Sequence, residues 1–456
     1  MKQWEQPNSV TFMAHLSGDE FFIQFTTNDG YEIREGSDGW YYYAVLNEND
    51  DIVTSNKKVG IDTPPAESYN LQLPAYKQQE IEDQRAQFME ELQQAAEWYR
   101  QKREEANRGT VTFKIGVILV DFADSVHWKT SDPPYPFPNG YDKHYFNELI
   151  FSNDGTWFDT LLTQLPETHP ENQKVFGSLR DYYNQQSRGK LDITGKGGLP
   201  EILNPEDPQH PGIPDWVYLD EEKAYWNSLP LTGINWSAFH GAAITKFEQK
   251  FPGINIAEYD RIVLIYAGNR GNGVLWPSAM PMFGYHMSER DHSAFSHIGI
   301  HSHEFAHLLG AFDEYGGSAN PVYWSVMAWG SSNGPAYHSA CPSGFSPFYR
   351  IHWDWVNAAY LNAPGYQNLV FEYDYSNPQY YRIDVPDNIS EYFILENRLR
   401  EGFDLWTPND PGDPPQHPLQ DPNGNEGGLM IWHIDDDNFV NYNSDIVFYK
   451  SAGRYG

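Results

Sequence analysis

The sequence predicts a mixed fold, α+β or α/β, that is divided into more than one domain. The chain has 456 residues, which is too many for one ordinary hydrophobic core. Aromatic residues make up 16% of it and there are 37 glycines, a composition that favours strands and turns. In the middle of the chain, apolar strand-like runs alternate with amphipathic helix-like stretches.

Residues 1–73 are predicted to form a small β-rich unit. Apolar and polar positions alternate through residues 10–62, as they do in strands with one buried face. The dipeptides Asp29-Gly30 and Asp38-Gly39 each stand between two such runs. Asp-Gly is typical of tight hairpin turns, so we expect antiparallel hairpins at both positions.

Residues 74–109 are predicted to form one long helical linker. Residues 76–107 contain neither glycine nor proline, and Gly109 follows at the end. Apolar side chains recur at helical spacing in a narrow stripe, at Ile81, Phe88, Leu92, Ala95 and Tyr99. A stripe of this kind predicts that the helix packs against a neighbour along one side.

Residues 110–362 are predicted to form the α/β core, and residues 363–456 a β-rich C-terminal part. FKIGVILVDFAD and DRIVLIYAG (260–268) are nearly continuous apolar runs, which is typical of buried strands. Helix-like YFNELIF and SLRDYYNQQS lie between them. Strand patterns return in YYRIDV, EYFILENR and GGLMIWHID, and the Pro/Asp/Gly-rich stretch 407–427 is expected to be a solvated connection.

The charge balance excludes two classes of partner. The formal net charge is -33, from 63 acidic and 30 basic residues, so nucleic acid and anionic membranes would be repelled. No apolar run reaches the length of a membrane span. The opening MKQWEQPNSV lacks an apolar signal region, so the chain as given is expected to carry no export signal. Cys341 is the single cysteine, which rules out an intrachain disulfide.

The stretch HSHEFAHLLGAFDEYGG (301–317) carries the chemistry. On a helix, His303 and His307 lie four residues apart and project from one face, as the two imidazole ligands of a zinc ion do. Glu304 lies beside them, where its carboxylate can act as general base on an attacking water. Gly310 and Asp313 stand in the register in which metzincin-type zinc peptidases return a third ligand, so Asp313 is the candidate. Glu314 or a residue distant in sequence remains an alternative third ligand.

Several other residues have interpretations of their own. Met327 in YWSVMAWG could form the apolar turn beneath the metal. Trp329 stands where related enzymes carry a tyrosine, so the oxyanion-stabilising group is open among Tyr315, Tyr323 and Tyr337. We interpret three other histidines, His292, His297 and His301, as ordinary structural residues. Cys341 is interpreted as unreactive, and the acid run Asp435–Asp437 as a solvated turn.

The sequence resembles the immune inhibitor A family of secreted zinc metallopeptidases. The resemblance extends from GDEFFIQFTTNDGYEI through KIGVILVDFAD and HEFAHLLGAFDEY to WSVMAWGSS, GFSPFYRIHWDWV and EYFILENRLREGFD. It implies a metzincin-like endopeptidase that acts on protein or peptide substrates and is exported as a latent zymogen. It also implies catalytic Zn²⁺ and structural Ca²⁺.

The resemblance assigns roles to individual residues. His303, His307 and Asp313 are the implied zinc ligands, Glu304 the general base and Met327 the Met-turn residue. Residues 1–108 are the implied pro-region. Because Arg100–Arg108 at the end of the helix would be exposed to proteases, we expect activation by cleavage near residue 109, and we expect a monomer. One departure is that Gly316 and Gly317 follow DEY, where relatives commonly have another acid. With Cys341 outside the pro-region, a cysteine switch cannot enforce latency.

Two alternatives stand beside this interpretation. The first is a catalytically silent family member that acts as a surface or carbohydrate-binding module, which the aromatic content would suit. The second is a different zinc hydrolase that uses a distant glutamate as third ligand. The side chain that completes the metal site distinguishes the second alternative from the metzincin-like one.

Overall fold

The structure is a computed structural model in which the chain divides into two compact units, Met1–Met89 and Glu90–Gly456. The residues that it describes are 2–18, 21–36, 38–127, 143–153, 177–199, 201–229, 231–271, 273–291, 294–314, 322–334, 339–361, 379–400, 402–407, 427–435 and 447–450. Within these ranges, no helix is both long and apolar enough to cross a membrane.

The first unit contains two antiparallel sheets of three strands each, ordered β1-β2-β3 and β4-β5-β6. The strands are β1 Lys2–Glu5, β2 Thr11–Gly18, β3 Ile23–Thr27, β4 Ile33–Glu35, β5 Tyr41–Leu46 and β6 Ile52–Lys58. The hairpin predicted at Asp38-Gly39 is confirmed, since β4 pairs with β5 across it. At Asp29-Gly30 the chain also reverses, and Thr27 N donates to Tyr31 O at 2.8 Å across the turn. The isolated bridge Thr26–Glu32 joins the two runs there, while β3 pairs along its length with β2.

Helix α1 spans Ala75–Glu105, close to the predicted 76–107. The division between the two units falls inside this helix, so its residues 90–105 belong to the second unit. There Leu92, Ala95 and Tyr99 are buried, as the apolar stripe predicts. The indole Nε1 of Trp355 donates to the Tyr99 hydroxyl at 2.8 Å, which ties this half of the helix to the second unit.

The second unit is built around a mixed sheet. Its main order is β11-β7-β12-β14-β13, with β8 beside β7 and β15 beside β14, and β9 and β10 form a separate ribbon. The strands are β7 Val111–Asp121, β8 Leu191–Thr194, β9 Glu206–Asp207, β10 His210–Pro214, β11 Val217–Tyr218, β12 Arg261–Asn269, β13 Ser278–Met280, β14 Gly284–Asp291 and β15 Ala294–Phe295. The predicted buried strands are confirmed as β7 and β12, which pair in parallel.

Helices cover the central sheet on both faces. In the described residues they are α2 Lys143–Phe151, α3 Leu179–Ser187, α4 Lys223–Ser228, α5 Gly233–Lys250, α6 Ile298–His307 and α7 Pro347–His352. Successive residues of β7 alternate between two hydrophobic cores: Val117 and Leu119 face one, Ile118 and Val120 the other. This burial on both sides explains why β7 is a continuous apolar run in the sequence.

A second sheet of five strands, ordered β16-β17-β18-β19-β20, completes the second unit. Its strands are β16 Ala358–Tyr360, β17 Tyr380–Val385, β18 Asn388–Leu399, β19 Gly427–Asp435 and β20 Val447–Lys450. The three strands predicted from YYRIDV, EYFILENR and GGLMIWHID are therefore confirmed. Residues 408–426, the predicted connection, lie outside the described residues. Ile394 and Trp432 of this sheet share a core with Phe305 of α6.

Candidate metal centre

Helix α6 carries the predicted site residues and is held from several sides. The ring of Phe305 packs against Phe113 of β7, with ring centroids 4.8 Å apart, and against Tyr183 of α3 at 4.6 Å. The Tyr183 hydroxyl donates to the backbone carbonyl of Ser302 at 2.6 Å. These contacts fix the rotation of α6 about its axis, and therefore the direction in which His303 and His307 project.

Gly310 ends the helical turn and redirects the chain. Its backbone φ is +86°, and two hydrogen bonds form a Schellman motif: Gly310 N donates to His307 O at 3.0 Å and Ala311 N to Ala306 O at 3.1 Å. A Cβ placed on Gly310 would lie 2.4 Å from the Cβ of Ala96 in α1. Glycine is thus required here by both conformation and space, and the turn leads directly to Asp313.

His303, His307 and Asp313 converge on one point. Their ligand atoms all lie within 4.8 Å of one another, with Asp313 Oδ1 at 2.9 Å from His303 Nε2 and 3.7 Å from His307 Nε2. In the described part of the chain, this is the one cluster of three or more such side chains with metal-binding spacing. The structure therefore brings together the three residues that the sequence nominated.

The hydrogen bonds of the two imidazoles fix which nitrogen faces this point. His303 Nδ1 lies 2.9 Å from the Val326 carbonyl, and His307 Nδ1 lies 2.8 Å from the Ala311 carbonyl. A carbonyl only accepts, so each Nδ1 carries the proton and each Nε2 presents its lone pair. Burial is the main cause that lowers the pKa of His307 to about 3, which keeps this ring neutral at physiological pH.

The donor set fits a divalent cation. Two imidazole lone pairs and a carboxylate oxygen are all electron-pair donors, and at these separations they repel one another unless a cation lies among them. Two nitrogen ligands with one carboxylate is a set that zinc accepts in catalytic sites. Imidazoles oriented by a backbone carbonyl through the opposite nitrogen are the usual arrangement around a bound metal.

Glu304 lies next to His303 in the chain and is buried within α6. The pKa of the nearby Tyr285 phenol is raised, mainly because the phenol is buried and secondly because of the negative charge of Glu304. The Tyr285 hydroxyl lies 3.0 Å from His301 Nδ1. Tyr285 thus connects the central sheet to α6 beside the proposed general base.

Glu314, the alternative third ligand, has other partners. Its Oε1 accepts a hydrogen bond from Ser346 Oγ at 2.6 Å, and its backbone N donates to Met327 O at 2.7 Å. Burial is the main cause that raises its pKa to about 7. Its carboxylate is not among the converging ligand atoms, so the structure favours Asp313.

Met327 lies in the buried turn that follows. Its side chain belongs to the same hydrophobic core as Phe305 and Leu308 of the site segment, as expected for an apolar floor. Among the oxyanion candidates, Tyr315 and Tyr337 lie outside the described residues, as do Gly316 and Gly317. Tyr323 is described, and its backbone carbonyl accepts from Ser343 Oγ at 2.6 Å. The oxyanion-stabilising group stays unassigned.

The residues interpreted as structural are buried where they are described. His301 contacts Tyr285, and burial is the main cause that lowers the pKa of His301 to about 3. His297 is buried and directly precedes α6, and His292 lies outside the described residues. Cys341 is fully buried, and this burial raises its pKa, as expected for an unreactive thiol. Of the acid run, Asp435 ends β19 and the two following residues are not described.

Sequence reasoning missed the groups that orient the ligands. The carbonyls of Val326 and Ala311 are main-chain atoms, and any residue type at those positions could supply them. Ser346 and Tyr183 have no motif around them that indicates a site. Their contacts with Glu314 and α6 arise from tertiary packing alone.

Comparison with known proteins gives an independent result. A family model described as the immune inhibitor A peptidase M6 catalytic domain matches residues 100–199. That range includes the last turn of α1, β7, α3 and β8. A search of curated proteins found no match. The matched family is the one that the sequence resembles, and the match supports a peptidase, an enzyme class whose substrates are proteins or peptides.

Proposed function

We propose that the protein is a zinc-dependent endopeptidase of the HExxHxxGxxD type. The observation that carries the proposal is the convergence of His303, His307 and Asp313, with both Nδ1 atoms donating to backbone carbonyls. This arrangement leaves two Nε2 lone pairs and one carboxylate oxygen for a single ion. The match to a peptidase family supports hydrolysis of peptide bonds as the reaction.

The proposed division of labour follows from the positions of the side chains. His303, His307 and Asp313 hold the ion, and the carbonyls of Val326 and Ala311 keep the two rings in the binding orientation. When bound, zinc supplies Lewis acidity, which lowers the pKa of a water and polarises the scissile carbonyl. Glu304 accepts the proton of the attacking water and donates it to the leaving amine nitrogen.

Three further properties belong to the same proposal through the family resemblance. The protein is exported, it is made as a latent zymogen with an N-terminal pro-region, and Ca²⁺ stabilises the fold. The excess of 63 acidic over 30 basic residues would favour calcium binding in general. Chelation of calcium at constant zinc would test the last property by its effect on the melting temperature.

Substitution of Glu304→Gln tests the proposed function. The amide that replaces the carboxylate cannot take a proton, so we expect cleavage of casein to fall by about 10²-fold or more while the zinc content stays at that of the wild type. The matched comparison is His307→Ala. His307 lies one helical turn after Glu304 and is buried to a similar degree, but it is a proposed zinc ligand, so this variant should lose both zinc and activity. Zinc is measured by elemental analysis of the purified protein.

The two variants separate the competing functions. Undiminished casein cleavage by Glu304→Gln would refute the role of Glu304. A wild type that binds zinc but cleaves no protein would instead support the catalytically silent alternative. Equal zinc content in the wild type and in His307→Ala would refute the metal site.

A further inference from the structure

We propose that Arg398, on a strand of the C-terminal sheet, is a positioning residue for the metal centre. It acts by fixing the turn whose carbonyl orients His303. The inference rests on the proposed function, because it concerns the residues that would hold the ion. It adds a contribution from β18, which lies about 90 residues after the HExxH motif in the chain.

The guanidinium of Arg398 joins two separate loop segments. Its Nη1 donates to the backbone carbonyl of Trp324 at 2.5 Å, and its Nη2 donates to that of Phe345 at 2.8 Å. The side chain is only 4% exposed. A planar fork of this kind fixes the distance and the orientation between the two carbonyls, which a single point of contact would not do.

Of the two segments that Arg398 joins, one contacts a candidate ligand and the other contacts the neighbour of one. Two residues after Trp324, the carbonyl of Val326 receives His303 Nδ1 at 2.9 Å. One residue after Phe345, Ser346 donates to Glu314, the neighbour of Asp313. Arg398 therefore holds, through the main chain, both the partner of the first imidazole and the partner of the residue beside the carboxylate ligand.

Buried acidic groups keep Arg398 in place. Glu396 Oε1 lies 3.1 Å from Nη2 and Asp404 Oδ1 lies 3.8 Å from Nη1, and both carboxylates are buried. Glu396 also accepts from Trp432 Nε1 at 2.8 Å, and Asp404 accepts from the Gly344 amide at 2.9 Å. A buried arginine with two charged partners and two carbonyl acceptors has one preferred placement.

Other hydrogen bonds also hold this turn, but at a different residue from the one that Arg398 contacts. The Tyr323 carbonyl accepts from Ser343 Oγ at 2.6 Å and from Asn333 Nδ2 at 2.9 Å, and Ser343 Oγ lies 2.8 Å from Thr407 Oγ1. These contacts hold the start of the turn. Arg398 bonds to the next residue, Trp324, which lies nearer to Val326.

The substitution Arg398→Lys provides the test. Lysine keeps a positive charge for Glu396 and Asp404 but cannot donate through a rigid fork to both carbonyls. We expect a folded protein in which the affinity for Zn²⁺ and kcat each fall about tenfold and KM for a peptide substrate is unchanged, because a support of a ligand is weakened. The affinity is measured by competition with a chromogenic chelator, with Zn²⁺ alone as the probe.

The matched control is Arg382→Lys on the neighbouring strand β17. Arg382 pairs with Asp384 of its own strand, at 2.6 Å, and this substitution changes an arginine of the same sheet in the same way. It should leave zinc affinity, kcat and KM at wild-type values. If Arg398→Lys melts at the wild-type temperature but binds zinc more weakly than the wild type, Arg398 has a positioning role rather than a general structural one.

The outcomes distinguish the inference from the proposed function. If the wild type binds zinc and cleaves peptides while Arg398→Lys does both equally well, the positioning role is overturned. If Arg398→Lys fails to fold, the role is also overturned, since Arg398 would then serve the core as a whole. If the wild type itself neither binds zinc nor cleaves peptides, the proposed function fails.

Discussion

Gly310 shows how a single residue connects the sequence motif to the geometry of the site. It has a positive φ, which costs a residue with a Cβ about 1–2 kcal/mol. Its Cα also approaches the backbone of Ala96 so closely that a Cβ would lie 2.7 Å from the Ala96 nitrogen. The turn that brings Asp313 back to the histidines depends on both features.

We predict that Gly310→Ala lowers the free energy of unfolding by about 3 kcal/mol or more, because left-handed strain and overpacking add. Zinc affinity should fall as well, since Asp313 follows three residues later. Gly189→Ala is the matched control: Gly189 has φ +72° and open space around its Cα, so only the strain applies. Urea unfolding measures both variants, and equal losses would contradict the packing argument.

At the residue scale, the sequence predicts side chains better than it predicts their supports. His303, His307 and Asp313 could be nominated because helical geometry and the glycine turn fix their relative positions. Glu314 could not be excluded from sequence, because its alternative partner Ser346 is 32 residues away. Arg398 could not be recognised, because its acceptors are main-chain carbonyls on loops that come together only in the folded chain.

Helix α1 illustrates the element scale. Its existence and length follow from composition, because 31 residues without glycine or proline favour one helix. Its tertiary role does not follow, because the apolar stripe does not say which neighbour it contacts. In the structure, Arg103 Nη2 lies 3.2 Å from Asp354 Oδ2, Tyr99 accepts a hydrogen bond from Trp355, and Ala96 lies against Gly310. The second half of α1 is thus part of that unit, and the cleavage near residue 109 expected from the sequence would remove residues that pack within it.

Truncation tests this inference. A chain that begins at Glu90 keeps residues 90–105 and should unfold cooperatively and bind zinc. A chain that begins at Gly109 loses the buried Leu92, Ala95 and Tyr99, and because burial of a large apolar side chain stabilises by about 1.5–3 kcal/mol, it should melt at a much lower temperature or not fold. Calorimetry compares the two chains, and equal melting temperatures would contradict the assignment of residues 90–105.

Strands could be predicted as elements but not as partners. The apolar runs of β7 and β12 identify buried strands, whereas their parallel pairing joins residues about 150 positions apart. At Asp29-Gly30 the predicted turn is confirmed, yet the pairing of the two runs does not continue past one bridge; β3 pairs with β2, and β4 pairs with β5. Which strands pair depends on all the strands of the folded chain, and a local sequence pattern does not include that information.

At the scale of the whole molecule, buried histidines make stability depend on pH. His240 Nε2 lies 3.2 Å from His286 Nδ1, and both side chains are buried. Burial is the main cause that lowers the pKa of His286 to about 4 and lowers that of His240 as well. The unfolded chain takes up protons below pH 6.5, which the folded chain resists until about pH 4. Stability is therefore lost as pH falls through this window.

We predict that His286→Gln flattens this pH dependence by on the order of 3 kcal/mol between pH 6.5 and pH 4, from the shift in pKa. The raised pKa of Glu314 acts in the opposite direction, but it is present in both proteins and cancels in the comparison. His15→Gln, at an exposed position, is the control. Urea unfolding at several pH values measures the effect, and parallel curves for His286→Gln and the wild type would contradict it.

Both sheets of the second unit pack against helix α6. The hydrophobic core around α6 includes Ile394, Met430 and Trp432, which lie beyond the predicted boundary at residue 362. Arg398 adds a polar connection from the same sheet to the turn beneath His303. The change in sequence pattern near residue 363 could be recognised from the sequence. The packing of the segments before and after it onto one helix could not, because that packing joins residues far apart in the chain.

The central claim is that one divalent cation is held by His303, His307 and Asp313. A crystal of the zinc-loaded protein, measured at wavelengths on both sides of the zinc absorption edge, tests it most directly. The account predicts one anomalous peak that contacts both Nε2 atoms and the Asp313 carboxylate. A map with no peak among these three side chains, or with zinc held instead by Glu314 or by residues elsewhere, would contradict it.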